Sequence, residues 1–208
     1  MEVANVYNQI ANDFSKTRYS VWSGVKKFLD TLPSNSSNID IGCGNGKNML
    51  YRDDITFTGL DISTEMVDIC QSRGLNCITG DILHLPWDDN SFDNAISIAV
   101  IHHLETKEKR LKAIQEIFRI IKPNGKLLIS VWSLKQPDNS KRKFTKPDEM
   151  VPFHNKDGSI HYRYYHLYQE NELLEEVKIA LKDNKDHQYE IDDLWEELGN
   201  YYVIINKK

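Results

Sequence analysis

The stretch that most limits what this chain can become is Asn38-Ile39-Asp40-Ile41-Gly42-Cys43-Gly44-Asn45-Gly46-Lys47. A short β-branched run ends in a glycine-rich turn, and Asn48-Met49-Leu50 is predicted to open a helix. Glycines at a strand-to-helix turn let the backbone pass close to a ligand. A dinucleotide fingerprint needs glycine at the sixth position of G-x-G-x-x-G, where this chain has Lys47. A phosphate-cradling loop needs a wider glycine spacing and Ser or Thr after its lysine, and here Asn48 follows Lys47. Both readings fail on these residues. The remaining pattern, D-x-G-x-G-x-G, takes its meaning from the rest of the chain.

Hydrophobic periodicity puts two helices before any strand. Tyr7, Ile10, Ala11 and Phe14 form one stripe, and Val21, Trp22, Val25, Phe28, Leu29 and Leu32 form another. Residues 1–37 are expected to make a helical lid over whatever the glycine turn binds. After Ile39–Ile41 strands and helices alternate. Strands are predicted at Thr56–Leu60, ending at Asp61, at Asn76–Gly80, ending at Asp81, at Asn94–Ile101 and at Lys126–Trp132. Helices are predicted at Met66–Arg73, Lys107–Ile121 and Glu170–Leu181, with Lys122-Pro123-Asn124-Gly125 as a stop signal. Tyr189–Glu196 and Tyr201–Asn206 are expected to pair as a hairpin through Leu198-Gly199-Asn200. Residues 134–160 are polar, carry Pro137, Pro147 and Pro152, and read as a long, partly mobile loop. The alternation predicts an α/β fold with a doubly wound, mostly parallel sheet in one domain over residues 1–208. Ligands of such sheets bind beyond the carboxyl ends of the strands, so Gly42, Asp61, Asp81, His102 and Trp132 should converge.

Composition narrows the class. The longest apolar run, Ala95–Ile101, is too short to span a bilayer, and Ser97 interrupts it. Met1-Glu2-Val3-Ala4-Asn5 shows no secretory signal, and no membrane association is expected. Cys43, Cys70 and Cys77 form no C-x-x-C pair, which suits a reducing, cytoplasmic setting. No His/Cys cluster has zinc-ligand spacing, so no metal is expected. A net charge of −5 carries no basic footprint for nucleic acid. The charges are uneven, however: Lys135, Lys141, Arg142, Lys143 and Lys146 crowd one loop, and Glu190, Asp192, Asp193, Glu196 and Glu197 crowd the tail.

The acids at the strand ends sharpen the chemistry. Asp61 lies 19 residues after Gly42 (61 − 42), where a carboxylate can bond both hydroxyls of a ribose. Asp81, followed by Ile82 and Leu83, stands at the end of the next strand, and Asp40 stands in the first. With these acids, the glycine pattern resembles the first motif of class I S-adenosylmethionine-dependent methyltransferases. That resemblance implies a Rossmann-like sheet of seven strands with an antiparallel C-terminal hairpin. It also implies S-adenosylmethionine as cofactor, held by Asp40, Gly42, Gly44, Asn45, Asp61, Ile62, Asp81, Ile82, Leu83 and Ala99.

Other stretches are more particular. Tyr7-x-x-Ile10-Ala11-x-x-Phe14-Ser15-x-Thr17-Arg18-Tyr19-x-x-Trp22 is one, and Ile96-Ser97-Ile98-Ala99-Val100-Ile101-His102-His103 is another. Val131-Trp132 followed by Gln136, Val151-Pro152-Phe153-His154 and Arg163-Tyr164-Tyr165-His166-Leu167-Tyr168 complete the set. Together they resemble the eukaryotic wobble-uridine tRNA carboxyl methyltransferases in their stand-alone form. The resemblance implies methylation of the carboxylate of 5-carboxymethyluridine in the tRNA anticodon loop, and partnership with a small zinc-binding activator subunit. Three departures stand out: Val21 where the family has Pro, Leu60 and Ile62 where Cys and Arg are common, and Tyr201 where Trp is usual.

A carboxylate nucleophile is already ionised at neutral pH, so the task is positioning rather than proton removal. Arg18 is expected to grip the carboxylate. His102 is expected to be the functional one of the two adjacent histidines. Thr17, Tyr19, Trp22, His103, Trp132, Arg163, Tyr165 and His166 are expected to contact substrate. A methyltransferase for a small metabolite, and a non-catalytic binding protein of the same fold, are the competing readings.

Overall fold

The computed structural model describes residues 3–182 and 188–208. Met1 and Glu2 of the N-terminal stretch considered above lie outside them. Helix α1 (Val3–Lys16) and helix α2 (Ser23–Leu29) precede strand β1 (Ser37–Ile41). Then come β2 (Thr56–Asp61), α3 (Thr64–Ser72), β3 (Cys77–Thr79), β4 (Phe92–Ile98) and a 3₁₀ turn at Ile101–His103. Helix α4 (Lys107–Arg119) leads to β5 (Ile121–Trp132), β6 (Asp148–His154) and β7 (Ile160–His166). Helix α5 (Glu172–Leu181), β8 (Tyr189–Glu197) and β9 (Asn200–Lys207) complete the chain.

Seven strands form one sheet in the order β3-β2-β1-β4-β5-β9-β8. The first five run parallel, while β9 is antiparallel to β5 and β8 to β9. Helices cover both faces, which is why the central strands are continuous apolar runs. Along β5, Leu127, Ile129 and Val131 pack with Ile114 and Ile117 of α4 and Leu173 and Val177 of α5. Leu128 turns the other way, to Val25, Phe28 and Leu29 of α2. Helix starts follow local chemistry: Ser63 accepts from Met66 N at 3.2 Å to open α3, and Thr106 accepts from Lys109 N at 3.3 Å to open α4. The expected hairpin forms through Leu198 and Gly199, at φ 51° and 77°, as the twist of a two-residue turn requires.

Four expectations are corrected. No helix follows the glycine turn; Met49 N reaches Gly46 O at 3.1 Å and Tyr51 N reaches Asn48 O at 3.2 Å, in successive turns. The chain from Gly46 to Thr56 is too short to hold a full crossover helix and return to the sheet. The strand predicted to run to Ile101 stops at Ile98, because Ala99 adopts φ 60°. Lys122–Gly125 is absorbed into β5, with Asn124 at φ 66° and a register shift opposite Phe92 and Asn94. Residues 134–160 are not wholly loop, since β6 pairs antiparallel with β7 in a separate two-stranded ribbon that packs through β7 against α1. Pro152 hid this strand, and it is tolerated because β6 has only one neighbour.

Among the described residues, no helix is long and apolar enough to cross a membrane.

Candidate active site

The carboxyl ends of β1, β2 and β4, with the loops after β2 and β3, enclose a cavity of about 170 Å³, closed on one side by α1 and the segment after it. Tyr7, Arg18, Trp22, Gly44, Asn45, Asp61, Ile62, Asp81, Ile82, Ala99 and His103 all line it. The glycines serve different ends. A Cβ on Gly42 would lie 2.3 Å from Val100 Cγ2, so Gly42 is a packing requirement as well as a conformational one at φ 75°. A Cβ on Gly44 would meet nothing within 4 Å, so Gly44 leaves backbone bare at the cavity.

Asp61 ties this turn to β2. Its Oδ2 accepts from Gly44 N at 2.8 Å and its Oδ1 from Ser63 N at 2.9 Å. Burial raises its pKa against the opposing pull of those bonds. Each oxygen retains a lone pair for a ligand hydroxyl. Asp81 Oδ1 accepts from Leu83 N at 2.9 Å, and the tight turn to His84 carries Leu83 out of the cavity to pack on the core. Ile82 lines the cavity and Leu83 does not.

Asp40 does not reach the cavity wall. It is fully buried behind the turn, and Asn48 lies between it and the cavity, lining the wall and donating to Asp40 Oδ2 at 3.3 Å. Asp40 Oδ1 has no partner, and burial raises the carboxyl pKa to about 7, against the Asn48 bond. Asn48 was not singled out in the sequence, because the stretch after the turn was read as a helix.

The two histidines are placed differently. His102 is fully buried, stacked on Tyr165 at 4.7 Å, and its Nδ1 accepts from Trp132 N at 3.3 Å. Burial drives its pKa well below the usual value. His103 lines the cavity. Its Nδ1 lies 2.9 Å from the Tyr164 carbonyl, which can only accept, so Nδ1 carries the proton and Nε2 accepts from Tyr7 OH at 2.8 Å. Burial lowers the His103 pKa to about 4, which keeps the ring neutral. The 3₁₀ turn decides which of the pair faces the cavity.

A second cavity of about 290 Å³ adjoins the first, and Arg18, Trp22 and Lys47 line both. Its other walls are Thr17, Tyr19, Trp132, Gln136, Arg142 and the β8–β9 tip at Leu198–Asn200. The Arg18 guanidinium lies 4.5 Å over the Phe14 ring and donates to Thr17 Oγ1 at 3.0 Å. Arg142 lies 4.3 Å over Trp132, and Lys47 Nζ 4.9 Å over Trp22. Among the described residues, none of Arg18, Lys47 and Arg142 has a carboxylate within ion-pair distance; the ion pairs found involve other cations. The one acid on this wall, Glu197, accepts from Ser23 Oγ and from Gly24 N at 2.9 Å. Burial lowers the Lys47 pKa to about 8, helped by repulsion from Arg18.

The remaining expected substrate contacts lie elsewhere. Arg163 and Tyr165 are buried on the β7 face that meets α1 and the 3₁₀ turn, joined by an Arg163–Tyr165 OH bond of 2.9 Å. His166 is held between Asp148 Oδ1 at 3.0 Å and Glu172 Oε1 at 2.9 Å. None of the three lines either cavity. Tyr7, from the stripe that predicts an amphipathic helix, lines the inner cavity, and Gln136 lines the outer one.

Comparisons with known proteins agree with this geometry. A family model described as a methyltransferase domain matches residues 39–129. A fission-yeast (Schizosaccharomyces pombe) protein named tRNA (carboxymethyluridine(34)-5-O)-methyltransferase is 38% identical over 93% of each chain. Proteins of the same name from Arabidopsis thaliana and mouse are each 45% identical over 66% and 69% of this chain, which spans 34% and 22% of their lengths. Among solved structures, a methyltransferase from Thermotoga maritima, described as a possible histamine N-methyltransferase, superposes with TM-score 0.68 at 19% identity, covering 98% and 99% of the two chains. A Haloferax volcanii chain, from a complex between the Trm112 methyltransferase activator and a methyltransferase, superposes with TM-score 0.67 at 18% identity, covering 99% and 97%. The structures establish the class I methyltransferase fold. By its likeness to the fission-yeast protein over nearly the whole of both, the chain belongs to the tRNA (carboxymethyluridine(34)-5-O)-methyltransferase family.

Proposed function

We propose that this chain methylates the carboxylate of 5-carboxymethyluridine at the tRNA wobble position, with S-adenosylmethionine in the inner cavity and the modified base in the outer one. The junction carries the reading. The two cavities meet at Arg18, Trp22 and Lys47, where, among the described residues, the cations stand without anionic partners beside aromatic rings. An anionic substituent on a stacked pyrimidine is the chemistry that such a junction fits.

The inner cavity suits the cofactor on this chain's own terms. Gly44 leaves backbone exposed, Asp61 has spare acceptor capacity for ribose hydroxyls, Asp81 can take an adenine amino group, and Ile82 offers apolar surface to the ring. When bound, S-adenosylmethionine supplies a methyl group made electrophilic by its sulfonium. Arg18 then holds one oxygen of the substrate carboxylate and leaves the other free to point inward. A carboxylate with a reference pKa of about 4 needs no base at neutral pH, so the neutral His103 is no obstacle. His103 and Tyr7 instead form a fixed polar wall, and Phe14 and Trp22 help to exclude water, which favours charge neutralisation between the reactants. Trp132 offers a stacking face, with Arg142 over its ring and exposed Tyr19 at the rim.

The partners follow from the same reading. The exposed Lys141, Lys143 and Lys146 adjoin the outer cavity through Arg142 and suit the phosphates of an anticodon stem-loop. Strand β3 is a short edge strand with Ile78 partly exposed, open to strand addition by a small zinc-binding activator. The cytoplasm, where thiols stay reduced, suits the three free cysteines.

The test is to incubate tRNA lacking the methyl ester with labelled cofactor, with and without the activator subunit. Label on the tRNA released by mild alkali is the expected result, because esters hydrolyse and N- or C-methyl groups do not. Alkali-stable label, or transfer only to small molecules, overturns the reading.

A further inference from the structure

Cys43, Cys70 and Cys77 lie 27 and 7 residues apart in the chain (70 − 43 and 77 − 70), yet the fold gathers them. All three are buried, and their sulfurs lie within 4.8 Å of one another. Cys43 comes from the turn after β1, Cys70 from α3 and Cys77 from β3. Met49 adds a fourth sulfur, 3.8 Å from Cys77 Sγ. The cluster exists because β2, which runs between β1 and β3, carries Gly59 at that level. A Cβ there would lie 2.5 Å from Cys77 Sγ, 2.9 Å from Cys43 Sγ and 3.1 Å from Met49 Sδ. Three sulfurs thus converge over one bare stretch of backbone.

The spacing has chemical content. Cys43 Sγ and Cys77 Sγ are 3.9 Å apart. A disulfide needs about 2.05 Å, which these arms, reaching from opposite sides of β2, do not approach. Two thiolates on one tetrahedral metal ion, each about 2.3 Å from it, stand about 3.8 Å apart. Thiolate and thioether donors without oxygen ligands select soft d¹⁰ ions. We propose that Cys43, Cys70 and Cys77, with Met49 as a fourth donor, form a binding site for one soft d¹⁰ metal ion such as Cu(I) or Zn(II). Each thiol that ligates releases its proton to solvent. Entry is from the inner cavity, which Cys43 lines.

The site also reaches the glycine turn. The Cys70 thiol lies 3.1 Å from the Gly44 carbonyl and donates to it, while Gly44 N holds Asp61 Oδ2. Ligation as thiolate ends the first bond and loosens Gly44 beside the cofactor carboxylate. This coupling rests on the inner cavity being the cofactor site; the metal site itself does not.

The experiment uses the full chain, reduced and metal-free, titrated anaerobically with Cu(I) against a chromophoric chelator, and separately with Zn(II) against a zinc indicator. One ion per chain is expected, displacing the competitor. Cys77→Ser and Cys70→Ser should each weaken binding by more than about a hundredfold, beyond the cost of an outer-shell change. Met49→Leu should weaken Cu(I) more than Zn(II), because the thioether is the softer donor. Should a serine variant not fold, alkylation of the wild-type thiols with and without ion replaces it, and protection is expected. No uptake, equal affinity in a folded serine variant, or no protection overturns the site. Cofactor binding measured on metal-free chain stays intact in those cases, so failure of the metal site is distinct from failure of the cofactor reading.

Discussion

Arg18→Ala separates the substrate reading from the cofactor reading. Among the described residues, the Arg18 side chain has no acidic partner, and its hydrogen bonds are local, to Thr17. Its loss from the Phe14 ring removes a cation–π contact of about 0.5–1 kcal/mol, so the fold should survive. In the reaction it is asked for a charge-assisted hydrogen bond from a half-buried guanidinium to a carboxylate, about 2–3 kcal/mol. At 1.36 kcal/mol per tenfold, that is a loss of about 30- to 150-fold in kcat/KM. Relief of repulsion from Lys47 pulls toward the lower figure. Arg18→Lys keeps the charge but not the fork and should recover only part of the loss. Cofactor affinity should hold, because the contact from the cofactor wall is Asn45 Nδ2 to the Arg18 backbone carbonyl at 2.9 Å, which the substitution spares. The assay is alkali-labile methyl transfer to tRNA at subsaturating tRNA, with calorimetry for S-adenosylmethionine. Wild-type kcat/KM in Arg18→Ala, or a loss explained by cofactor binding alone, refutes the argument.

Asp61→Asn keeps the shape but removes the charge that Gly44 N and Ser63 N address, and should weaken cofactor binding by about 2–3 kcal/mol in calorimetry; unchanged affinity would count against the ribose assignment. Lys207 is buried, and its ammonium donates to the Phe118 and Ile121 carbonyls at 3.1 and 2.6 Å and to Asn90 Oδ1 at 2.9 Å, at the end of α4. Lys207→Met leaves those acceptors unpaired and should lower unfolding free energy by about 2–3 kcal/mol in urea, with cofactor affinity preserved. His103, with its pKa down to about 4, binds a proton in the unfolded chain before the folded one, so stability should fall as pH drops from about 6.5 to 4, by up to about 1.4 kcal/mol per pH unit. His102 adds a slope of the same sign, and His103→Asn should flatten the profile. His166 runs the other way. Burial opposes its charge, but bonds from Glu172 and Asp148 prevail and raise its pKa, so its contribution is full below about 6.5 and is lost as pH rises through the folded value; His166→Gln should remove that loss.

The parallel strands were legible because burial on both faces writes itself as apolar runs, and Asp61 and Asp81 because the ends of those runs mark where a ligand sits. The hairpin was legible from Leu198-Gly199-Asn200. What escaped depends on offsets of one residue or on contacts between distant segments. His102 and His103 differ by one step of a 3₁₀ turn, which swings one under Tyr165 and the other into the cavity. Arg163 and Tyr165 share a face of β7, and only the packing of that ribbon on α1 turns the face inward. The pairing of Asn48 with Asp40 is equally illegible, since Asn48 sits in turns where the sequence predicts a helix. The sulfur cluster has no signature in spacing at all, since it is assembled across Gly59.

Arg18, Trp22 and Lys47 are a wall common to both cavities, and α1 closes another side of the inner one. On the proposed assignment, a tRNA seated in the outer cavity covers the side of the inner cavity that this wall forms. That arrangement predicts ordered turnover, with methyl donor first, tRNA second, modified tRNA out and spent donor last. The order leaves a kinetic imprint, because the spent donor competes with fresh donor for the free enzyme while modified tRNA competes with neither substrate there.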